Sequence, residues 1–431
     1  MRTRRRQQEN LAETILRVTW GRRVEAVVAV VVTVSHRLLS HGDVPDVGLV
    51  LLALAAAVLV MATPSRRWLV EALQREGTER RFAQATVDAG VAPAGVMAMR
   101  AVPSGNRLTV AIPPGSIAED YDKASEALAV CFGSRSVRVL RDPANAARAE
   151  LTIVTCDPLA GAGTPWPGVG MYETNLWRPL PIGVDEDGVP VLLDLAGHHV
   201  LVGGEPGAGK SNALSMIVAT AALDPSVDLW CLDAKLVELA PWRGLAQAFV
   251  GPDIAEATVA LGVLQTEMTN RYEWLLEQGL RKVTPETGLG LVLVVIDEMA
   301  LYIQGKGKER DDFALGLRDL VARGRAAGII VVAATQKPAA DVVPTAVRDL
   351  FGYRLALRCS TREASDTVLG SGWAAAGFSA ADIDPVTRGV GLLLADTGVP
   401  RRLRCHHVTD ADIEAIVHRA TVLRSQRRTR P

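Results

Sequence analysis

The sequence predicts an α/β fold built on a largely parallel sheet, because strand-like and helix-like segments alternate through its second half. Two of these segments carry distinctive chemistry. GEPGAGKS at residues 204–211 follows a short apolar run, and LVLVVI at residues 291–296 ends in two acids. An unbroken run of aliphatic and β-branched residues is typical of a central parallel strand that is covered on both faces.

The segment GEPGAGKS fits the phosphate-binding pattern G-x-x-x-x-G-K-[ST] at every defined position. Its glycines let backbone N–H groups turn toward a β-phosphate at the positive end of a helix, which we predict over residues 212–223. Lys210 is expected to reach the β- and γ-phosphates, and the Ser211 hydroxyl is expected to ligate Mg²⁺. We therefore predict ATP binding along this loop, through Gly204, Glu205, Pro206, Gly207, Ala208, Gly209, Lys210, Ser211 and Asn212.

The two acids that end the apolar run supply the second half of such a site. Asp297 is placed to hold Mg²⁺ from the strand tip, and Glu298 to orient an attacking water. A strand that ends in two acids is common by itself. Together with the phosphate-binding loop, the pair predicts a site of ATP hydrolysis.

Composition restricts the possible partners. A chain of 431 residues suggests two or three domains. Its net charge of −1 gives no global signal for nucleic acid, so any DNA-binding surface must be local. Aromatic residues make up only 4%, which argues against a stacking platform for single strands. Five cysteines without a C-x-x-C pair are typical of buried thiols in a reducing cytosol and argue against structural zinc.

The amino-terminal region has the pattern of a membrane anchor. Seven arginines precede an apolar run at residues 26–34, and the second run, residues 47–63, carries no charge. A bilayer crossing needs about 20 apolar residues, with about 17 at the low end. The connector at 40–46 has no Lys or Arg, whereas Arg66 and Arg67 follow the second run, so we expect a two-span hairpin with both ends cytoplasmic. The alternatives are one anchor with an interfacial helix, or a buried helical pair.

Five regions follow from these patterns. We predict a basic amino terminus with a transmembrane hairpin (1–67), a helical stalk with a small βαββ domain of the α+β class (68–160), a Gly- and Pro-rich linker (161–179), a parallel-sheet domain (180–413) and a basic, frayed carboxyl-terminal tail (414–431). In the parallel-sheet domain, strands are expected at 199–202, 228–232, 291–296, 329–334, 353–358 and 391–394, with long helices at 254–277 and 313–327.

Further segments of this domain resemble the FtsK/SpoIIIE family of DNA-pumping ATPases. They are the lead-in PIGVDEDGVP (181–190), LDAKLVEL (232–239), EMTNRY (267–272), ARGRAAGI (322–329) and ATQKP (334–338). The resemblance runs from residue 180 to residue 413 in consistent order. It implies a RecA-like P-loop motor domain that hydrolyses ATP with Mg²⁺, translocates double-stranded DNA and assembles as a homo-oligomer, expected to be a hexameric ring.

The resemblance also assigns roles to individual residues. Gln336 is expected to sense hydrolysis from a strand next to that of Asp297. Asp233 and Lys235 either position a neighbouring subunit or DNA loop, or form a surface ion pair. The basic stretch 305–310 is either a pore-lining loop or a solvated one. A catalytic arginine supplied by the neighbouring subunit is left open among Arg323, Arg325, Arg354 and Arg358.

The layout before residue 180 resembles the membrane-anchored conjugative transfer proteins of actinomycete plasmids and integrative elements. It implies a multi-pass protein of the cell membrane that acts in intercellular DNA transfer, or else in chromosome partitioning. One alternative is an ATPase that energises type VII-like protein secretion, although those proteins usually carry several ATPase domains. Another is a non-hydrolysing nucleotide-binding regulator, against which the intact Lys210, Asp297, Glu298 and Gln336 argue.

Overall fold

The computed structural model describes residues 79–142, 144–336, 338–339, 345–395 and 398–428. The predicted transmembrane hairpin at 1–67 lies outside these residues, as do residues 68–78 of the predicted stalk. Among the helices that are described, none is long and apolar enough to cross a bilayer.

Two compact units are present. The smaller takes in the described residues up to Met99, together with Thr109–Phe132 and most of Arg141–Ala149. Its helices are α1 (79–88), α2 (Ala118–Lys123) and α3 (Ser125–Phe132), and its buried side chains include Phe82, Tyr121 and Leu128. The single helix of the predicted βαββ pattern is thus two helices, which meet at Ala124.

The predicted βαββ region forms a four-stranded sheet in the order β1-β2-β4-β3. Its strands are β1 (Gly95–Val102), β2 (Gly105–Ala111), β3 (Ser136–Arg141) and β4 (Arg148–Val154). Strand β1 was not predicted, because its side chains show no clean alternation between buried and exposed positions.

The larger unit is built on a ten-stranded sheet in the order β6-β5-β14-β13-β12-β7-β11-β10-β8-β9. The six strands from β12 to β9 are parallel and the other four are antiparallel. The strands are β5 (Leu180–Asp185), β6 (Pro190–Leu193), β7 (Val200–Gly203), β8 (Asp228–Leu232), β9 (Ala248–Val250), β10 (Val292–Ile296), β11 (Ile329–Thr335), β12 (Tyr353–Leu357), β13 (Val390–Leu394) and β14 (Arg401–Cys405).

Helices cover both faces of this sheet, so its central strands are buried along their whole length. Every residue of β7, β10 and β11 is buried, which explains their continuous apolar sequences. The helices are α4 (Lys210–Ala222), α5 (Ile254–Glu277), α6 (Met299–Ile303), α7 (Lys308–Arg323), α8 (Thr345–Arg348), α9 (Arg362–Leu369) and α10 (Asp410–Arg428). The α/β class and the mostly parallel sheet are therefore confirmed.

One long helix matches its prediction and the other does not. Helix α5 spans the predicted residues 254–277. The helix predicted at 313–327 is displaced toward the amino terminus, because the chain leaves the helix after Arg323 and turns at Gly328, whose φ is +72°. Glycine adopts this left-handed conformation without a steric cost.

The expected frayed tail at 414–431 is wrong for its described residues. Residues 414–428 belong to α10, which buries Ile416 and Ala420 against the core of the larger unit. The guanidinium of Arg424 donates to the carbonyl oxygens of Ala221, Ala222, Asp224 and Val227 at 2.8–3.0 Å. Two of these carbonyls, those of Ala221 and Ala222, belong to the last turn of α4, where carbonyl oxygens have no partner within the helix.

The predicted linker at 161–179 is also packed rather than free. Trp166 and Leu176 are buried in the same core, and the Trp166 indole donates to the carbonyl of Pro181 at 3.1 Å. The Gly and Pro content indicated an irregular backbone correctly but did not reveal these two anchors.

The cysteines differ in part from expectation. Cys131 and Cys156 are exposed free thiols, contrary to the expectation of buried cysteines, whereas the other three are buried.

Candidate nucleotide site

The phosphate-binding loop connects β7 to α4, as predicted. Gly207 and Gly209 have φ values of +77° and +110°, and Gly209 stands at the amino-terminal cap of α4. Gly389 packs on the loop: its N–H donates to the Ala208 carbonyl at 2.9 Å. A Cβ atom on Gly209 would lie 3.1 Å from the Gly389 backbone, so a larger residue would have to push that backbone away as well as adopt a positive φ.

Lys210 is buried at the first position of α4, and its ammonium lies against the start of the loop. It donates to the carbonyl oxygens of Gly204 at 2.6 Å and Glu205 at 2.9 Å. Burial lowers the pKa of Lys210 to about 8, while the carboxylates of Glu298 and Asp297 act on it in the opposite direction. The lysine and both acids therefore belong to one electrostatic cluster.

Strand register explains why these groups meet. Strand β11 lies between β7 and β10, with Thr335 opposite Gly203 and Ala333 opposite Ile296. The carboxyl ends of all three strands consequently reach the same edge of the sheet, where ligands bind in open α/β folds. Asp297 and Gln336 each follow directly after one of these strand ends.

Asp297 is 4% exposed, and its Oδ2 atom is buried without a hydrogen-bond partner among the described residues. Burial raises its pKa to about 7, although the nearby Lys235 ammonium opposes this effect. A buried carboxylate oxygen with unused acceptor capacity suits a divalent cation, because Mg²⁺ prefers oxygen ligands. Asp297 therefore has the chemistry of the predicted Mg²⁺ ligand, whereas the role of Ser211 stays a prediction.

Glu298 is equally buried and is held in a defined position. Both carboxylate oxygens accept the backbone N–H of Gln336 at 3.1 Å. The structure thus joins the end of the acidic strand to the end of β11, which was predicted to carry the sensing residue. The bond uses the main chain of Gln336 and leaves its side-chain amide for other contacts.

Lys235, which the family resemblance singled out without a defined contact, is a further member of this cluster. Its ammonium lies 3.4 Å from Glu298 Oε2 and 3.9 Å from Asp297 Oδ2. Its loop follows β8, which pairs with β10, so strand order brings it to the acids. Asp233 has a structural role: its buried carboxylate accepts the backbone N–H groups of Lys235, Leu236 and Leu239 at 2.8–3.1 Å.

Asn212 differs from the expectation for a nucleotide ligand. Its side-chain amide donates to the His406 carbonyl and accepts the Val408 N–H at 2.8 Å. The side chain therefore anchors α4 to the chain segment that follows β14. Only the backbone of Asn212 is left for the predicted contact with nucleotide.

The four candidate arginines occupy different positions. Arg358 pairs with Glu205 of the phosphate-binding loop, Arg354 lies 3.4 Å from Asp349, and Arg323 contacts Asp319 at 2.5–2.6 Å. Arg325 is exposed near the opposite edge of the sheet, before β11 begins.

Two side chains of the basic stretch 305–310 are held by contacts within the chain. Lys308 lies 2.6 Å from Asp312 on α7, and Arg310 donates to the Leu301 carbonyl at 2.7 Å. Lys306 is exposed in the turn between α6 and α7. Contact with DNA through this stretch remains a prediction.

Fold and site together define a P-loop nucleotide-binding domain: a glycine-rich loop with a buried lysine faces two acids at the carboxyl edge of a parallel sheet. Comparison with known proteins identifies this domain. Residues 170–371 match the model of the FtsK/SpoIIIE family, so this chain carries an FtsK/SpoIIIE domain and the predicted resemblance is confirmed.

Individual relatives agree with this assignment. The DNA translocase SftA of Bacillus subtilis (strain 168) is 29% identical over 253 residues, which are 55% of this chain and 25% of that protein. The DNA translocase FtsK of Corynebacterium efficiens is 30% identical over 249 residues, which are 52% of this chain and 25% of that protein. The matched part therefore spans a quarter of the length of these relatives.

A solved structure shares the fold. The pCW3 conjugation coupling protein TcpA, in its monomer form with ATPγS, matches with a TM-score of 0.55 and 19% sequence identity. The match covers 80% of this chain and 99% of that one.

Proposed function

We propose that this chain is an ATP-hydrolysing motor that binds and translocates double-stranded DNA. The convergence of Lys210, Asp297 and Glu298 at one edge of a shared sheet carries the proposal. Lys210 would bind the β- and γ-phosphates, and Ser211 with Asp297 would hold Mg²⁺, which would neutralise phosphate charge. Glu298 would position the attacking water.

The Gln336 backbone N–H donates a hydrogen bond to Glu298, and this contact gives a route by which ATP hydrolysis could drive movement of DNA. A change at Glu298 during hydrolysis would reach Gln336 directly, because its two carboxylate oxygens hold that N–H. Gln336 directly follows β11, so hydrolysis would act on the end of that strand. Translocation of DNA is supported by the relatives that are named DNA translocases.

We further propose the setting that the sequence predicted. Residues 1–67 would form a two-span membrane anchor with both ends in the cytoplasm, and several copies would assemble into a ring, expected to be hexameric. The neighbouring copy would then supply a catalytic arginine. The biological role would be conjugative DNA transfer or chromosome partitioning.

The test is the steady-state ATPase rate with and without duplex DNA. We expect duplex DNA to stimulate hydrolysis, and we expect salt to weaken the stimulation because phosphate contacts release counterions. Lys210→Ala is the control and should abolish both rates. Stimulation by a secreted peptide but not by DNA would replace the proposal with the type VII-like export alternative. Turnover surviving in a pure preparation of the variant would reject the phosphate-binding loop as the site.

A further inference from the structure

An acidic residue stands inside the phosphate-binding loop. Glu205 is its second residue, and its backbone is fixed at both ends: its N–H donates to the Arg358 carbonyl at 2.9 Å, and its carbonyl accepts Lys210 at 2.9 Å. A carboxylate here would repel the phosphates that the loop is built to bind. The loop therefore needs a compensating cation.

Arg358 supplies that cation from the same chain. It follows β12 directly, and β12 pairs in parallel with β7, the strand that leads into the loop. The Arg358 guanidinium forms an ion pair with the Glu205 carboxylate, and the two side chains are 27% and 20% exposed. A Cβ atom on Gly204 would lie 3.2 Å from the Arg358 carbonyl oxygen, so the backbones are in close contact as well.

The position of this ion pair indicates which end of a bound nucleotide it lies near. The Lys210 ammonium lies on the carbonyls of Gly204 and Glu205, and this is the group expected to reach the β- and γ-phosphates. A guanidinium beside the same two residues is therefore closer to the terminal phosphate than to the base. Guanidinium groups bind phosphate oxygens through two parallel N–H donors, which lysine cannot do.

We propose that Arg358 is a triphosphate-binding residue of its own subunit's site and that Glu205 competes with the terminal phosphate for its guanidinium. The inference rests on the proposed function in that the ligand is a nucleoside triphosphate. The consequence is selectivity between nucleotides. The ion pair has a large effect on the affinity for a triphosphate and a small effect on the affinity for a diphosphate. It also removes Arg358 from the arginines that a neighbouring subunit could receive.

The test is equilibrium binding of ATPγS and of ADP, each with Mg²⁺, to wild-type protein, Arg358→Gln, Glu205→Gln and the double variant. We expect Arg358→Gln to weaken ATPγS binding about tenfold or more, because it leaves the Glu205 charge uncompensated, and to weaken ADP binding less than about threefold. Glu205→Gln should bind ATPγS at least as tightly as the wild type, and the double variant should lie between the two single variants.

Arg401→Gln is a matched control. Arg401 pairs with Asp185 and begins β14, opposite Leu393 of β13, near the edge of the sheet away from the loop, so its loss should not change either affinity. If Arg358→Gln does not fold, Arg358→Lys keeps the charge without the fork and should show the same preference in smaller measure. Equal losses for ATPγS and ADP, or a loss in Glu205→Gln as large as in Arg358→Gln, would overturn the inference. Failure of the wild type to bind either nucleotide would instead reject the proposed function.

Discussion

Asp297→Asn should abolish hydrolysis and yet stabilise the metal-free protein. The Asp297 side chain is 5% exposed, and burial raises its pKa from the ordinary 3.8 to about 7. A raised folded-state pKa contributes stability below pH 3.8 that is lost as the pH rises through 7. Since one pKa unit corresponds to about 1.4 kcal/mol, the charged carboxylate costs on the order of 4 kcal/mol above pH 7. Asparagine is nearly isosteric and carries no charge.

The assay is thermal denaturation of both proteins in a chelator across a range of pH. Between about pH 5.5 and pH 8.5, the wild type should lose roughly 2 kcal/mol relative to Asp297→Asn, which is a melting-temperature difference on the order of 5 °C. Adding Mg²⁺ and ATPγS should stabilise the wild type and leave the variant almost unchanged. A difference that does not vary with pH, or a variant that is less stable at high pH, would refute this account of Asp297.

Three further variants test the other contacts. Glu298→Gln should bind ATPγS normally but turn over about a hundredfold more slowly, since it loses the carboxylate that would position water; unchanged turnover would show that Glu298 has no such role. Lys235→Met removes a cation 3.4 Å from Glu298 and should lower kcat about tenfold with little change in ATP affinity, with partial rescue in Lys235→Arg; a kcat equal to that of the wild type would reduce Lys235 to a surface ion pair. Arg424→Met removes the side-chain donor to four carbonyl oxygens at and just after the end of α4 and should lower the free energy of unfolding by about 1–3 kcal/mol in denaturant titrations, and a smaller loss would mean that water replaces the guanidinium.

Local patterns in the sequence were sufficient to predict the central strands of the large sheet. Strands β8, β10 and β11 were predicted within one residue at each end, because buried parallel strands are continuous apolar runs. Edge strands such as β6 and β9 have only three or four residues, so their apolar runs are too short to indicate a strand, and they were missed. The helix α10 was misjudged because its basic residues obscured the few apolar positions that pack.

The nucleotide site likewise contains residues that local sequence predicts and contacts that it does not predict. The loop at 204–211 and the acids at 297–298 were predicted because each group is defined by neighbours in sequence. The contacts of Lys235 and the ion pair between Glu205 and Arg358 depend on strand order. Strand order places the Lys235 ammonium 3.4 Å from a Glu298 carboxylate oxygen, although the two residues are 63 positions apart in the sequence. No local pattern encodes that order, so these contacts could be read only from the structure. The family resemblance did mark residues 232–239, but without indicating what Lys235 contacts.

An experimental structure with Mg²⁺ and ATPγS bound would test the central claim most directly. We predict the γ-phosphate against Lys210 and the metal ion between Ser211 and Asp297, with Glu298 facing the terminal phosphate. Nucleotide bound elsewhere on the chain, or a metal ion that Asp297 does not contact, would contradict the proposal of a single hydrolytic centre.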